Sequence, residues 1–109
     1  MGKFMSLIKK IKDKKVNFEF NKEYIKVVIN KIANNDAQFI TNSFNEMHPA
    51  DAADIIEHLN ENNRESLIKL NNFNIDPEVF IELNESIQTE IITYLSSDSI
   101  IKLLKNLES

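Results

Sequence analysis

The chain has 109 residues, the size of one domain, and it contains no cysteine and a single glycine. The absence of cysteine excludes a disulfide framework, a thiolate metal site and a cysteine nucleophile, and scarce glycine argues against glycine-rich phosphate loops. Residues 1–16 carry six lysines against one aspartate, whereas the remaining residues carry seven basic and sixteen acidic groups. This acidic body argues against nucleic acid as the main partner.

Residues 1–20 form a basic N-terminal arm. Its first part, Phe4 to Lys15, has four apolar residues at helical spacing, which are Phe4, Leu7, Ile8 and Ile11. We interpret this part as a lead-in helix, followed by an extended linker from Val16 to Phe20. The lysines favour either contact with an anionic surface or simple solubility.

Two longer helices are expected after the arm. The first is marked by apolar residues at helical spacing, namely Tyr24, Val27, Val28 and Ile32, and it should end at Asn34-Asn35. Asp36 is suited to cap the second helix. That helix carries Phe39, Ile40, Phe44 and Met47.

From residue 55 the sequence repeats every twelve residues. Apolar pairs begin at each step, namely Ile55-Ile56, Leu67-Ile68, Val79-Phe80, Ile91-Ile92 and Leu103-Leu104. A third apolar residue follows each pair, at Leu59, Leu83, Leu95 and Leu107, and only Asn71 breaks the pattern. Helices this short need neighbours to be stable, so the chain is predicted to be all-α, a solenoid of short stacked helices. We expect burial at Ile56, Leu59, Phe80, Leu83, Ile92, Leu95 and Leu104.

A short motif opens this repeat. In the segment from Met47 to Leu59, His48 is placed as N-cap, Pro49 takes the first helical position, and Asp51 lies near the positive helix end. The segment resembles the "HPADxADxLEEL" signature of the cytosolic N-terminal domain of MgtE-type magnesium transporters. The resemblance covers about residues 36–109, and residues 21–109 are interpreted as one such domain.

The resemblance implies a right-handed superhelix and a function. In that family the domain is joined to CBS modules and a transmembrane domain in a homodimer, at the cytoplasmic face of the bacterial inner membrane. Mg²⁺ bound between the N domain and the CBS modules holds the pore closed. The chain itself has no apolar run long enough to cross a bilayer and is expected to be soluble.

The resemblance also implies one metal ligand. A glutamate just before the apolar pair, two steps after the His-Pro helix, corresponds to Glu78 here, and Glu82 lies one turn later. These two carboxylates are the predicted Mg²⁺ site. Further family carboxylates would lie on a helix after Leu107, so we expect the chain to be truncated before the last helices of the domain.

Two other classes of function were compared with this one. A helical-repeat interaction scaffold without a metal role, similar to the flagellar motor-switch protein FliG, is the alternative. An enzyme is disfavoured because no nucleophile, base and orienting group can be assembled from these residues. The two histidines, His48 and His58, have no zinc-ligand spacing, and no organic cofactor is expected.

Overall fold

The computed structural model describes residues 18–71 and 73–108, and it describes the side chains of residues 22–71 and 73–107. These residues form seven helices and no strand, so the all-α prediction is confirmed for this part of the chain. The helices are α1 Phe18–Ala33, α2 Ala37–Glu46, α3 Pro49–His58, α4 Glu61–Ile68, α5 Pro77–Glu82, α6 Glu85–Tyr94 and α7 Ser97–Glu108. The predicted lead-in helix from Phe4 to Lys15 lies outside the described residues.

Helix α1 begins earlier than the sequence predicted. The extended linker from Val16 to Phe20 was wrong for its last three residues, since α1 is helical from Phe18 onward. Apolar and polar residues alternate through this stretch, which is the pattern of an extended segment. The helix nevertheless continues backwards from Lys22, because no proline or glycine interrupts it. At its other end, Asn35 adopts the left-handed conformation at φ 55°, a position that asparagine tolerates.

Helix starts follow the twelve-residue step. Side chains accept hydrogen bonds from backbone N–H groups at Asp36, Asn60, Asn84 and Ser96, each a whole number of steps from the others. His48 occupies the same register but makes no side-chain cap; its backbone carbonyl accepts from Asp51 N and Ala52 N instead. Each cap satisfies a backbone donor that the short helix leaves open.

Helix α5 is the exception in this series. Its cap is Asp76, whose carboxylate accepts from Glu78 N at 2.8 Å, and the helix has only six residues. Pro77 explains the late start, because proline fits the first helical position and disrupts a helix interior. Residues 69–71 and 73–76 belong to the connection that precedes α5. Within it Leu70 is buried, which compensates for the exposed Asn71 that breaks the apolar pattern.

From α3 onward, each helix packs against the helix two places along the chain. Helix α3 contacts α5, α4 contacts α6, and α5 contacts α7, while α1 contacts α2, α3 and α4. Fully buried side chains from several helices fill the core, among them Val28, Ile40, Ile56, Leu67 and Ile91. One polar interaction repeats with the same spacing: Gln88 Nε2 donates to Phe80 O at 2.8 Å, twenty-four residues after Arg64 Nη1 donates to Ile56 O at 3.5 Å.

Burial agrees with the repeat in its first half and departs from it in the second. Ile56, Leu59, Phe80 and Leu83 are buried as predicted, and Leu95 is half-buried. The prediction was wrong for Ile92 and Leu104, which are exposed, whereas their neighbours Ile91 and Leu103 are buried. Both members of a pair are buried only where the helix has neighbours on two sides. Helices α6 and α7 each have a neighbouring helix on one side only, so one member of each apolar pair stays exposed.

Helix α7 therefore carries an exposed apolar stripe. Ile101 is 52% exposed, Leu104 50% and Leu107 36%, and only Leu103 contributes to the core. Ile101, Leu104 and Leu107 follow one another at intervals of three residues and lie along one side of the helix. Among the described helices, none combines the length and the apolar character that a bilayer crossing requires.

Candidate functional site

The predicted metal ligands lie on α5. Glu78 is in the first turn and Glu82 is the last residue, and both side chains are exposed. Residues four apart on a helix have Cβ atoms about 6 Å from each other, so the two carboxylates face the same solvent region. Within the described residues, neither carboxylate forms a hydrogen bond or an ion pair. They are thus available to an external cation.

Two further carboxylates lie near the ends of the same helix and have structural partners. Asp76 caps the N-terminus of α5. Glu57 of α3 accepts a hydrogen bond from Asn84 N at 2.8 Å, two residues beyond Glu82. No group of three or more acidic, histidine or cysteine side chains in residues 18–71 and 73–108 is arranged to hold a metal ion. A magnesium ion here would have only two protein carboxylates, which suits an ion that keeps several of its waters.

The two histidines lie at opposite ends of α3. His48 precedes the helix as its N-cap residue and is exposed. His58 Nδ1 lies 2.7 Å from Asp54 O and 3.6 Å from the Asp54 carboxylate. Their separation by the length of a helix keeps them from sharing a ligand. Both are therefore part of the local structure of α3.

The best-defined polar cluster is one that the sequence analysis missed. Arg64 of α4 forms a two-pronged ion pair with Glu90 of α6, with Nε–Oε2 at 2.8 Å and Nη2–Oε1 at 2.9 Å. Its remaining nitrogen, Nη1, donates to Leu59 O at the end of α3. Tyr94 donates its hydroxyl to Glu90 at 2.8 Å. One buried guanidinium thus ties the end of α3 to α4 and α6.

The electrostatics of this cluster are mutually reinforcing. The hydrogen bond from Arg64 lowers the pKa of Glu90, and the same bond raises the pKa of Arg64. The bond to Glu90 raises the pKa of Tyr94 to about 12. One feature of the composition could have pointed to this cluster: Arg64 is the single arginine in a chain with twelve lysines. A forked, planar cation is needed only where several acceptors must be satisfied together.

The fold and the site define a class of protein. The short capped helices of this chain pack against the helix two places along, and one of them exposes two carboxylates. This arrangement is typical of a helical module that presents a surface to other domains. A family model described as the MgtE intracellular N domain matches residues 47–109. The match covers more than half of the chain, so the chain belongs to this family.

This membership confirms the resemblance. The family is the intracellular N-terminal domain of a magnesium transporter and is not an enzyme family. The matched region begins at Met47, so α1 and α2 lie before it. No curated protein and no solved structure was found to match the chain.

Proposed function

We propose that this domain senses Mg²⁺ for the transporter to which it belongs. At high intracellular Mg²⁺, ions bound between the acidic face of α5 and the CBS modules of the same protein hold the pore closed. When Mg²⁺ falls, the two faces separate and the pore opens. The domain acts at the cytoplasmic face of the bacterial inner membrane, within a homodimer that also contains the transmembrane domain.

The observation that carries this proposal is the pair of exposed carboxylates of Glu78 and Glu82, which have no partner within the described residues. Residues 17–109 bear a charge of about −9, the balance of seven basic and sixteen acidic groups, so a second acidic face would repel this one. Divalent ions between the faces remove that repulsion. Because they bind the closed arrangement better than the open one, mass action favours closure.

The packing pattern supports the superhelical part of the proposal. Contacts between helices two places apart bury the core-facing residues of each helix and leave other residues exposed to solvent, as in a solenoid. A right-handed superhelix of this kind would present α5 along its outer surface. Glu78 and Glu82 would then face a neighbouring domain without any change in the core.

The test compares the 109-residue chain with the full-length transporter. We expect the isolated chain to bind Mg²⁺ weakly, with a dissociation constant of about 1 mM or higher, because two exposed carboxylates offer little to an ion that gives up its waters reluctantly. In the full-length protein, protection of the domain boundary from protease should rise steeply with Mg²⁺. Glu78→Ala should shift that rise to higher Mg²⁺, and Glu23→Ala, an exposed carboxylate on α1, should not.

Two results would contradict the proposal. If Glu78→Ala leaves the Mg²⁺ dependence of protection unchanged, Glu78 is not a ligand of the sensor. If the isolated chain binds Mg²⁺ with micromolar affinity, the site is complete within one domain and no second face is required.

A further inference from the structure

A groove with a volume of about 450 Å³ separates the connection before α5 from the start of α7. Its floor is apolar and only partly covered, with half-buried side chains at Phe73, Ile75, Tyr94 and Leu95. Its rim is polar and comes from α2, the connection and α7. An apolar floor within a polar rim is the usual anatomy of a protein recognition surface.

Three polar side chains on the rim are unused. The Lys102 ammonium and the carboxamides of Asn45 and Asn74 line the groove, and none forms a hydrogen bond or ion pair within the described residues. Asp76 also lines the groove, but its carboxylate already accepts from Glu78 N. The unmatched charge in the groove is therefore positive, although the surrounding body is acidic.

The polar groups on the rim favour an extended chain over a helix. The peptide units of a helix are already hydrogen-bonded within the helix, whereas those of an extended segment are open to the side chains of the groove. A carboxamide presents one donor group and one acceptor, the same pair that each peptide unit of an extended chain offers. Asn45 and Asn74 thus match the main chain, and the floor matches apolar side chains.

A second surface depression shows that these features are not general. It is lined by Asn35, in the turn between α1 and α2, and by residues at and after the end of α4, including Glu65 and Lys69. These two charges already pair at 2.6 Å. That depression therefore has no unmatched charge for a ligand.

We propose that the groove between the α5 connection and α7 binds an extended peptide segment of a partner protein, with an acidic side chain between apolar ones. The carboxylate pairs with Lys102, the peptide units bond to Asn45 and Asn74, and the apolar side chains cover Phe73 and Leu95. The groove borders α5 at Asp76 and Pro77 but includes neither Glu78 nor Glu82, so its test is independent of the Mg²⁺ face.

The test uses the full 109-residue chain, labelled with ¹⁵N, and two peptide mixtures. One is acetyl-X-Asp-X-X-amide and the other acetyl-X-Lys-X-X-amide, with X drawn from Leu, Ile, Val and Phe. We expect the acidic mixture to shift the backbone amide signals of Asn74, Leu95 and Lys102 in a saturable way. The basic mixture should bind at least about tenfold more weakly. Lys102→Ala should weaken the acidic mixture about threefold, as for an exposed ion pair.

Lys105→Ala is the matched control, because it removes the same charge from the same helix outside the groove. It should leave the affinity within about 1.5-fold of the original, since a charge away from the contact is largely screened. Equal binding of the two mixtures, no saturable shift with the acidic mixture, or an equal effect of both lysine substitutions would overturn the proposal. So would the same shifts produced by acetyl-aspartate amide alone, because the groove would then recognise a small anion.

Discussion

At the scale of single residues, Arg64 carries an unusual share of the structure. Its side chain is almost fully buried and meets a carboxylate and the carbonyl groups of Leu59 and Ile56. A lysine can supply the charge but cannot satisfy this forked set of acceptors. The guanidinium thus links three helices, and its loss would leave the half-buried carboxylate of Glu90 without its cation.

We predict that Arg64→Ala lowers the free energy of unfolding by about 3 kcal/mol, because removing one partner of a buried pair leaves the other charge uncompensated. Urea unfolding followed by circular dichroism measures it. Arg64→Lys should recover only part of the loss. Lys69→Ala serves as a control: it breaks the exposed pair with Glu65 and should cost under about 0.5 kcal/mol. Equal losses for the two alanine variants would mean that the Arg64 pair behaves as a surface pair.

The lowered pKa of Glu90 predicts how the stability of the protein changes at acid pH. Its carboxylate stays ionised in the folded protein at a pH where the unfolded chain, with a glutamate pKa of about 4.3, has taken up a proton. The pair's contribution is therefore present above about pH 4.3 and is lost as the pH falls toward the lowered pKa. Glu90→Gln should be less stable than the original at pH 7, and the difference should shrink below pH 4. A difference that is constant from pH 7 to pH 3 would contradict this.

At the scale of helices, two neighbouring leucines at the end of the repeat differ in burial. Leu103 is 5% exposed and Leu104 is 50% exposed, although both belong to the last apolar pair. The sequence treats them as equivalent. The structure separates them because α7 packs against α5 on one side and has no described helix on the other.

We predict that Leu103→Ala costs about 3 kcal/mol of unfolding free energy, within the range for a buried leucine, whereas Leu104→Ala costs under about 0.5 kcal/mol. Thermal and urea unfolding of the two variants give the comparison, and each serves as the control for the other. A large loss for Leu104→Ala would show that the exposed stripe of α7 is covered in solution.

The helices also show how far a sequence pattern reaches. The cap at Asp36 was predicted from the sequence, and the caps at Asn60, Asn84 and Ser96 recur at the same twelve-residue step. Short polar side chains favour helix starts for a local physical reason, since they accept from open backbone N–H groups. Periodicity gave the apolar side of each helix but not whether that side is covered. Coverage depends on the neighbours that a helix finds in three dimensions, which is why Ile92 and Leu104 were mispredicted.

The site was predicted less completely than the fold. The family resemblance led to Glu78, and helical spacing added Glu82; both side chains are exposed and unpaired among the described residues. The Arg64 cluster could not be derived from spacing, since Arg64 and Glu90 are twenty-six residues apart on different helices. The groove joins α2, α4, the connection, α6 and α7, so no local sequence window contains its lining.

At the scale of the whole molecule, burial is concentrated in the first helices. Helices α1 to α4 supply most of the core, while α7 supplies only Leu103. Local stability follows the number of buried apolar contacts. The two ends of the described chain should therefore open with different free energies.

We predict that backbone amides in α7 exchange with solvent deuterium at least about tenfold faster than those in the middle of α3, because opening α7 exposes little core. Native-state hydrogen exchange by NMR at neutral pH measures both helices in one sample. Helix α6 is an internal control, since Ile91 is fully buried and Glu90 is tied to Arg64. Exchange of α7 at the same rate as α3 would mean that the whole domain opens as one unit.

The equivalence of Arg64 with Gln88, twenty-four residues apart, shows that the geometric unit of this chain is a pair of helices. The sequence pattern repeats every twelve residues, but equivalent contacts in space are twenty-four residues apart, because each helix from α5 onward packs against the second helix before it. A deletion of twelve residues would keep the remaining apolar pairs in register in the sequence while exchanging the two classes of helix. Insertions and deletions that keep the domain folded should therefore span whole pairs of helices.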